Sequence, residues 1–176
     1  LNARLSIPLY VWGLRLGGLL ALDSFAQGKI RAARFLLWQP VLSGETFLTQ
    51  FLRLRLAGDM LSGTQTSGGV QALRAELSNG TSLEVAGYEI SPALASSIDG
   101  LRLQDLAPDQ GSVHWLESVA EAGRSVSPAT QRIADHWRNQ GVSFTLDTVV
   151  CEPFWTTQEI TECPALVQAS LAAWDA

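Results

Sequence analysis

The chain has 176 residues, a usual length for one domain, with 47% hydrophobic and 16% charged residues. This composition supplies enough apolar side chains for a sizeable core and excludes a disordered chain. The formal net charge of -5 excludes a broad basic surface, so we expect no nucleic-acid partner.

In chain order, the apolar patterning first predicts a strand at 8–12, a helix at 19–27 and a strand at 33–39. After a long middle block, it predicts a strand at 112–119, a helix at 128–140, a strand at 142–150 and a helix at 161–174, with Pro164 in its first turn. Strands that alternate with helices predict an α/β domain over 1–176, with a mostly parallel sheet flanked by helices.

The middle block, 44–107, is too long for one crossover connection. Its pattern predicts a helix at 44–60, a polar loop at 62–69, a short helix at 70–77, a strand at 82–90 and a helix at 92–106. We interpret it as a cap-like insertion over the carboxyl ends of the strands, where open α/β sheets bind ligands.

The cysteines and histidines offer no metal site. Cys151 and Cys163 do not form a CxxC pair, and no His/Cys cluster has metal-ligand spacing, so we expect no metal and no cofactor. Reduced thiols in a cytoplasmic protein are the simplest account of the two cysteines, and a disulfide between them is the alternative. No apolar run reaches the roughly 18 residues that a membrane span needs, because Arg15 interrupts the longest one.

The most informative motif is Trp12-Gly13-Leu14-Arg15-Leu16-Gly17-Gly18, which lies between a predicted strand and a predicted helix. It matches the G-x-S-x-G nucleophile elbow with arginine in place of serine. We expect Gly13 and Gly17 to be required because side chains there would collide with neighbouring elements. The central residue, Arg15, is expected to be strained and to point into a pocket.

Several segments resemble one known family. VWGLRLGGLLALD, FLLWQPVLSGETFLTQFLRLRLA, SVHWLES and EPFWTTQEITECPAL are similar to the second type of exosortase-A system-associated hydrolase, over nearly the whole chain. The resemblance implies an α/β-hydrolase fold and a role in bacterial exopolysaccharide synthesis. Family members are longer at the N-terminus. We therefore expect this chain to be the C-terminal part of the fold, without an N-terminal half that includes one oxyanion-hole donor.

A hydrolase triad also needs an acid and a histidine, each after a later strand. Glu117 and Glu121 are the candidate acids, although a solvated loop carboxylate is the favoured interpretation of both. The loop after 142–150 contains Phe154 and Trp155 but no histidine. We expect His114 to be a satisfied core residue and His136 to lie at the surface of a helix, so neither is placed to activate a nucleophile.

Arg15 has two interpretations. A guanidinium at a helix N-terminus is unfavourable unless an anion offsets it, because the helix dipole favours negative charge there. One interpretation is an anion pocket formed by Arg15 with the amides of Leu16 and Gly17 and lined by Trp155. The other, slightly favoured, is an internal ion pair with Glu117, Glu121 or Glu152.

Two functions remain from the sequence. The residues favour a degenerate hydrolase fold that serves as a binding or scaffold component, with a small-molecule or an acyl- or sugar-linked ligand. The family resemblance favours an active ester or acyl hydrolase with a non-classical site. The strand at 8–12 would form an open sheet edge, so we expect it to pair with another copy of the chain or with an upstream segment.

Overall fold

The computed structural model describes residues 7–63, 68–156 and 160–175. The strands are β1 (Tyr10–Leu14), β2 (Arg34–Trp38), β3 (Leu83–Val85), β4 (Tyr88–Ile90), β5 (Ser112–Val119) and β6 (Ser143–Val150). The helices are α1 (Leu16–Ala26), α2 (Gly44–Leu61), α3 (Gly69–Ser78), α4 (Pro92–Asp99), α5 (Pro128–Asn139) and α6 (Pro164–Asp175). The chain forms two compact units, 1–42 with 103–176, and 43–102.

The first unit is built on a four-stranded sheet with the order β1-β2-β5-β6, and every pair of neighbouring strands is parallel. Leu14 at the end of β1 aligns with Trp38, and Trp38 aligns with Leu116 of β5. Since the strands are parallel, the residues that follow β1, β2, β5 and β6 all lie on the side of the sheet where the carboxyl ends of the strands meet. The elbow motif lies on this side.

Helices cover both faces of the sheet. On one face, Phe25 of α1 contacts Phe35, and Trp137 of α5 contacts Trp115, with ring centroids 5.3 and 6.2 Å apart. On the other face, Leu166 and Ala173 of α6 pack against apolar side chains of the sheet, namely Leu36, Leu116 and Val149. The predicted parallel sheet flanked by helices is therefore confirmed, and burial of both faces explains the apolar runs in β2 and β5.

The second unit, 43–102, has a core of its own. Leu48 and Leu52 of α2 pack with Leu73 and Leu77 of α3 and with apolar residues of β3, β4 and α4. Ser43 caps α2 by accepting a hydrogen bond from the amide of Thr46, and Ser91 caps α4 in the same way. The cap-like role of the segment 44–107 stays a prediction.

Two predicted elements of this unit are wrong in detail. The strand predicted at 82–90 is a hairpin, because Ala86 and Gly87 have φ of 50° and 82° and turn the chain between β3 and β4. The helix predicted at 92–106 ends at Asp99, and a short 3₁₀ turn, Leu103–Asp105, follows. Part of the polar loop predicted at 62–69 lies outside the described residues.

The two cysteines are joined. The structure contains a Cys151–Cys163 disulfide, with the Cα atoms 6.0 Å apart, so the expectation of reduced thiols is wrong. In the described ranges, no helix is long and apolar enough to cross a membrane, and no group of three or more His, Cys, Asp or Glu side chains is placed to hold a metal ion.

Candidate ligand site at the strand-to-helix elbow

Arg15 forms the sharp turn between β1 and α1. Its backbone has φ 51° and ψ -119°, a conformation that L-residues rarely adopt. Its N–H donates to the main-chain oxygen of Trp38 at 2.9 Å, and its own carbonyl accepts from the amides of Gly18 and Val41. The surrounding strand and helix therefore hold Arg15 in the strained conformation that the elbow motif predicts.

Of the two glycines of the motif, Gly13 has the predicted role and Gly17 does not. A Cβ on Gly13 would lie 2.5 Å from the Cα and N atoms of Gly18, so the close approach joins Gly13 and Gly18. A Cβ on Gly17 would meet nothing within 4 Å. The expectation that a side chain at Gly17 would collide is therefore wrong, because Gly17 is exposed at the start of α1.

The half-buried guanidinium of Arg15 contacts Gln39 and Trp155 in the described part of the chain. Its Nη1 donates to the main-chain oxygen of Gln39 at 3.1 Å, and its Cζ lies 5.5 Å from the centroid of the Trp155 ring. An arginine has five N–H groups, and in the described part of the chain the other four meet no acceptor. No described residue therefore competes with solvent or with a ligand for these donors.

The start of α1 adds further donors at the same place. Leu16 and Gly17 are the first two residues of the helix, and among the described residues no side-chain hydrogen bond caps this end. The first amides of a helix have no partner within it, and the helix dipole gives this end a partial positive charge. Arg15 and the two amides thus make a locally electropositive group of donors.

Glu117 is a buried carboxylate near the end of β5, with 6% of its surface exposed. Trp115 Nε1 donates to its Oε2 at 2.8 Å, and Thr130 Oγ1 donates to its Oε1 at 3.0 Å. Burial raises the pKa of Glu117, while hydrogen bonds from Thr130, Trp115 and Gln39 and the charge of Arg15 oppose the rise. The interpretation of Glu117 as a solvated loop carboxylate is therefore wrong.

Arg15 and Glu117 influence each other without direct contact. Burial lowers the pKa of Arg15, and the charge of Glu117 partly offsets this by raising it. Yet among the described residues no ion pair within 4.0 Å includes Arg15. In place of the direct ion pair considered from the sequence, the described residues show a longer-range attraction between Arg15 and Glu117.

The remaining candidates lie elsewhere. Glu121 and Glu152 are exposed, as expected of loop carboxylates. His114 Nε2 lies 2.7 Å from Asp147 Oδ2 on the neighbouring strand, so it is satisfied, although half-buried rather than in the core. His136 is half-buried on α5 and lines a surface cavity with Gln104 and Asp105. In the described ranges, neither histidine contacts Arg15.

Gln39 is a site residue that the sequence did not identify. It follows β2, has a positive φ of 42°, and accepts from Arg15 through its main-chain oxygen. Its side-chain Oε1 accepts from the amide of Ser118 at 2.6 Å, which fixes the side chain beside Glu117. Its position at the carboxyl end of a parallel strand, directly before Pro40, is the signal that would have identified it.

Comparisons with known proteins give structural neighbours alone. No protein-family model and no curated protein matches the chain. It is similar to Est1E from Butyrivibrio proteoclasticus, at 13% identity and a TM-score of 0.47, over 81% of this chain and 51% of that one. It is also similar to the α/β hydrolase GrgF from Penicillium sp. sh18, at 13% identity and a TM-score of 0.46, over 94% of this chain and 61% of that one.

A monoacylglycerol lipase from Paleococcus ferrophilus aligns with 98% of this chain at 16% identity and a TM-score of 0.50. The alignment covers 69% of the lipase, and the chain spans 51% and 61% of the other two neighbours. The lipase alignment, together with the parallel sheet, the flanking helices and the strained elbow, establishes the architecture. The chain therefore has an α/β-hydrolase fold, of which it represents a part.

Proposed function

We propose that this chain is a hydrolase-fold protein that binds an anionic group at the elbow instead of cleaving an ester there. The observation that carries the proposal is Arg15, a cation held in the strained elbow conformation, four of whose N–H donors meet no acceptor among the described residues. A carboxylate or phosphate would accept from this guanidinium in a bidentate manner and from the amides of Leu16 and Gly17. Trp155 supports the guanidinium from one side.

The same residues argue against a serine mechanism. Arginine replaces the serine at the elbow, and a serine hydroxyl in any case needs an adjacent base to become an effective nucleophile. The two histidines of the chain are engaged away from Arg15, His114 with Asp147 and His136 on α5. Ester hydrolysis releases a carboxylate, which is nevertheless among the ligands that Arg15 would recognise.

We further propose that the protein belongs to the second type of exosortase-A system-associated hydrolases and acts in the cytoplasm of bacteria that synthesise exopolysaccharide. The distinctive segment LLWQPVLSGETFLTQFLRLRLA supports this proposal. Its ligand would then be a small molecule or an acyl- or sugar-linked intermediate with a negative charge.

An active ester or acyl hydrolase with a non-classical site is the alternative. One observation favours it: a buried carboxyl, Glu117, has a raised pKa and lies within electrostatic range of Arg15. A carboxyl of this kind is suited to general acid–base catalysis. In this alternative, Glu117 would move the proton and Arg15 would stabilise the developing oxyanion.

Replacing Arg15 by alanine tests the binding function. We expect calorimetric binding of phosphate and of acetate to weaken at least about tenfold, since a charge-assisted hydrogen bond contributes about 1.5–3 kcal/mol. Arg132→Ala removes an exposed arginine of α5 and should leave binding unchanged. A fall in thermal stability in Arg15→Ala with unchanged anion binding would show that Arg15 is structural.

An esterase assay with a fluorophosphonate probe separates the binding function from the alternative. We expect neither labelling of a serine nor turnover of p-nitrophenyl acetate above the buffer rate. Turnover that is lost in Glu117→Gln but retained in Glu121→Gln would support the non-classical enzyme and overturn the binding-only proposal.

A further inference from the structure

Glu117 is a buried carboxyl whose contacting hydrogen-bond donors are neutral. It is 6% exposed, and Trp115 Nε1 and Thr130 Oγ1 donate to its two oxygens at 2.8 and 3.0 Å. Among the described residues no ion pair within 4.0 Å includes it. Because no cation contacts the carboxyl, its burial favours the protonated form.

The hydrogen bonds around Glu117 suit both of its protonation states. Thr130 Oγ1 lies 3.0 Å from Glu117 Oε1 and 2.9 Å from Ser127 Oγ, and either hydroxyl of this second pair can be the donor. When the carboxyl is ionised, Thr130 donates to it. When the carboxyl is protonated, it donates to Thr130 Oγ1, which turns its own hydrogen towards Ser127 Oγ. The carboxyl therefore gains or loses a proton without leaving a buried polar atom unpaired.

Arg15 is the cation that acts on Glu117 from a distance. Gln39 contacts both sides of this pair, since its main-chain oxygen accepts from Arg15 Nη1 at 3.1 Å and its Oε1 accepts from the amide of Ser118, which follows Glu117, at 2.6 Å. Burial has the largest effect on the pKa of Glu117 and raises it, whereas the positive charge of Arg15 is among the influences that lower it.

The other titratable groups of the elements around Glu117 do not contact it. In the described ranges, no hydrogen bond or ion pair joins Glu117 to the charged or titratable side chains of α1, α5 and β6, namely Asp23, Arg132, Asp135, His136, Arg138 and Asp147. Several of these groups are engaged with each other or with a neighbour, as in the pairs Arg138–Asp135 and His114–Asp147. The charge of Glu117 is therefore tied to that of Arg15.

We propose that anion binding at Arg15 is coupled to protonation of Glu117, so that the site takes up an anion together with a proton. This inference rests on the proposed anion-binding function. A bound anion offsets the charge of Arg15, and Glu117 then loses the attraction that favours its ionised form. The coupling is reciprocal, because protonating Glu117 removes a nearby negative charge and strengthens anion binding by the same factor. An anion and a proton bound together are equivalent to a free acid.

Two hydroxyls give the proton a route from solvent to Glu117. Thr130 is 1% exposed, whereas Ser127, which caps α5, is exposed. Ser127 Oγ takes a proton from solvent and passes its own hydrogen to Thr130 Oγ1, which passes its hydrogen to Glu117 Oε1. The carboxylate gains one proton, solvent loses one, and each hydroxyl ends as it began.

A pH-stat titration of unbuffered protein with sodium sulfate tests the coupling. Sulfate is the probe because it does not titrate in mildly acidic or neutral solution. We expect the wild-type protein to take up protons as sulfate binds, up to about one per site, at pH values above the ordinary pKa of a glutamate. Glu117→Gln should bind sulfate without this uptake. Glu121→Gln, at an exposed carboxylate, should behave like the wild type.

Calorimetry with sulfate at a series of pH values tests the reciprocal effect. We expect the wild-type protein to bind sulfate at least about fivefold more tightly in mildly acidic than in mildly alkaline solution, the lower end of coupling between two sites. Glu117→Gln should bind with nearly the same affinity throughout, close to that of the wild type at acidic pH.

The outcomes separate this inference from the function on which it rests. Sulfate binding by the wild type without proton uptake would overturn the coupling and leave the anion site intact, whatever the variants show. Proton uptake that persists in Glu117→Gln would assign the proton to another group and would likewise overturn the coupling. Absence of sulfate binding at every pH would overturn both.

Discussion

Burial controls the charge of Glu117 and thereby the electrostatics around Arg15. The folded protein raises the pKa of this carboxyl above its ordinary value, chiefly by desolvation. At pH values between the ordinary pKa and the raised pKa, the carboxyl of the folded state is protonated while that of the unfolded state is ionised. Stability from this group is therefore fully present below the ordinary pKa and is lost as the pH rises through the folded pKa.

This loss of stability with rising pH leads to a prediction for Glu117→Gln. The substitution keeps the size of the side chain and a hydrogen-bond acceptor but cannot ionise. We expect its free energy of unfolding to depend less on pH between mildly acidic and neutral conditions, and at neutral pH to equal or exceed that of the wild type. Urea unfolding at a series of pH values measures this. Glu121→Gln, at an exposed carboxylate, is the control and should follow the wild type. A parallel pH profile for Glu117→Gln and the wild type would contradict the argument.

At the scale of elements, the elbow depends on one close approach between β1 and α1. Gly13→Ala would place a Cβ 2.5 Å from main-chain atoms of Gly18, which cannot move without displacing the helix. We expect a loss of at least about 3 kcal/mol in the free energy of unfolding, at the upper end of overpacking effects. Chemical denaturation measures it.

Gly17→Ala is the matched control. The substitution lies in the same motif but meets nothing within 4 Å, and alanine favours a helix over glycine by about 1 kcal/mol in a helix interior. The expected result is unchanged or slightly increased stability. A similar loss in both variants would show that the motif responds to any side chain and not to the Gly13–Gly18 contact.

The elements also show what the sequence could predict. The pattern located β5 at its observed bounds and β1, β2, β6 and the helices of the first unit to within a few residues, because apolar strands and turn residues are local signals. The β3–β4 hairpin was missed because Ala86 is unusual at a positive φ. The burial of Glu117 and the role of Gln39 depend on contacts between residues far apart in the chain, which periodicity does not encode.

At the scale of the molecule, the sheet has an open edge at β1 in the part of the chain that the structure describes. The strand Tyr10–Leu14 contains no charged residue, although charged side chains and proline commonly protect edge strands from pairing. Tyr10 and Trp12 are 46% and 53% exposed, which is high for aromatic residues of a parallel strand. This edge has the composition of an interior strand, and no described strand pairs with its outer side.

Self-association through this edge is the corresponding prediction. We expect light scattering coupled to size-exclusion chromatography to show a concentration-dependent dimer of the 176-residue chain. Trp12→Lys should shift the population towards monomer, because a lysine on an edge strand opposes strand addition. Met60→Lys introduces the same charge at an 81% exposed apolar position of α2 and should leave the dimer unchanged. A wild-type chain that stays monomeric at high concentration would rule out pairing between copies and would leave the β1 edge to a strand from another segment.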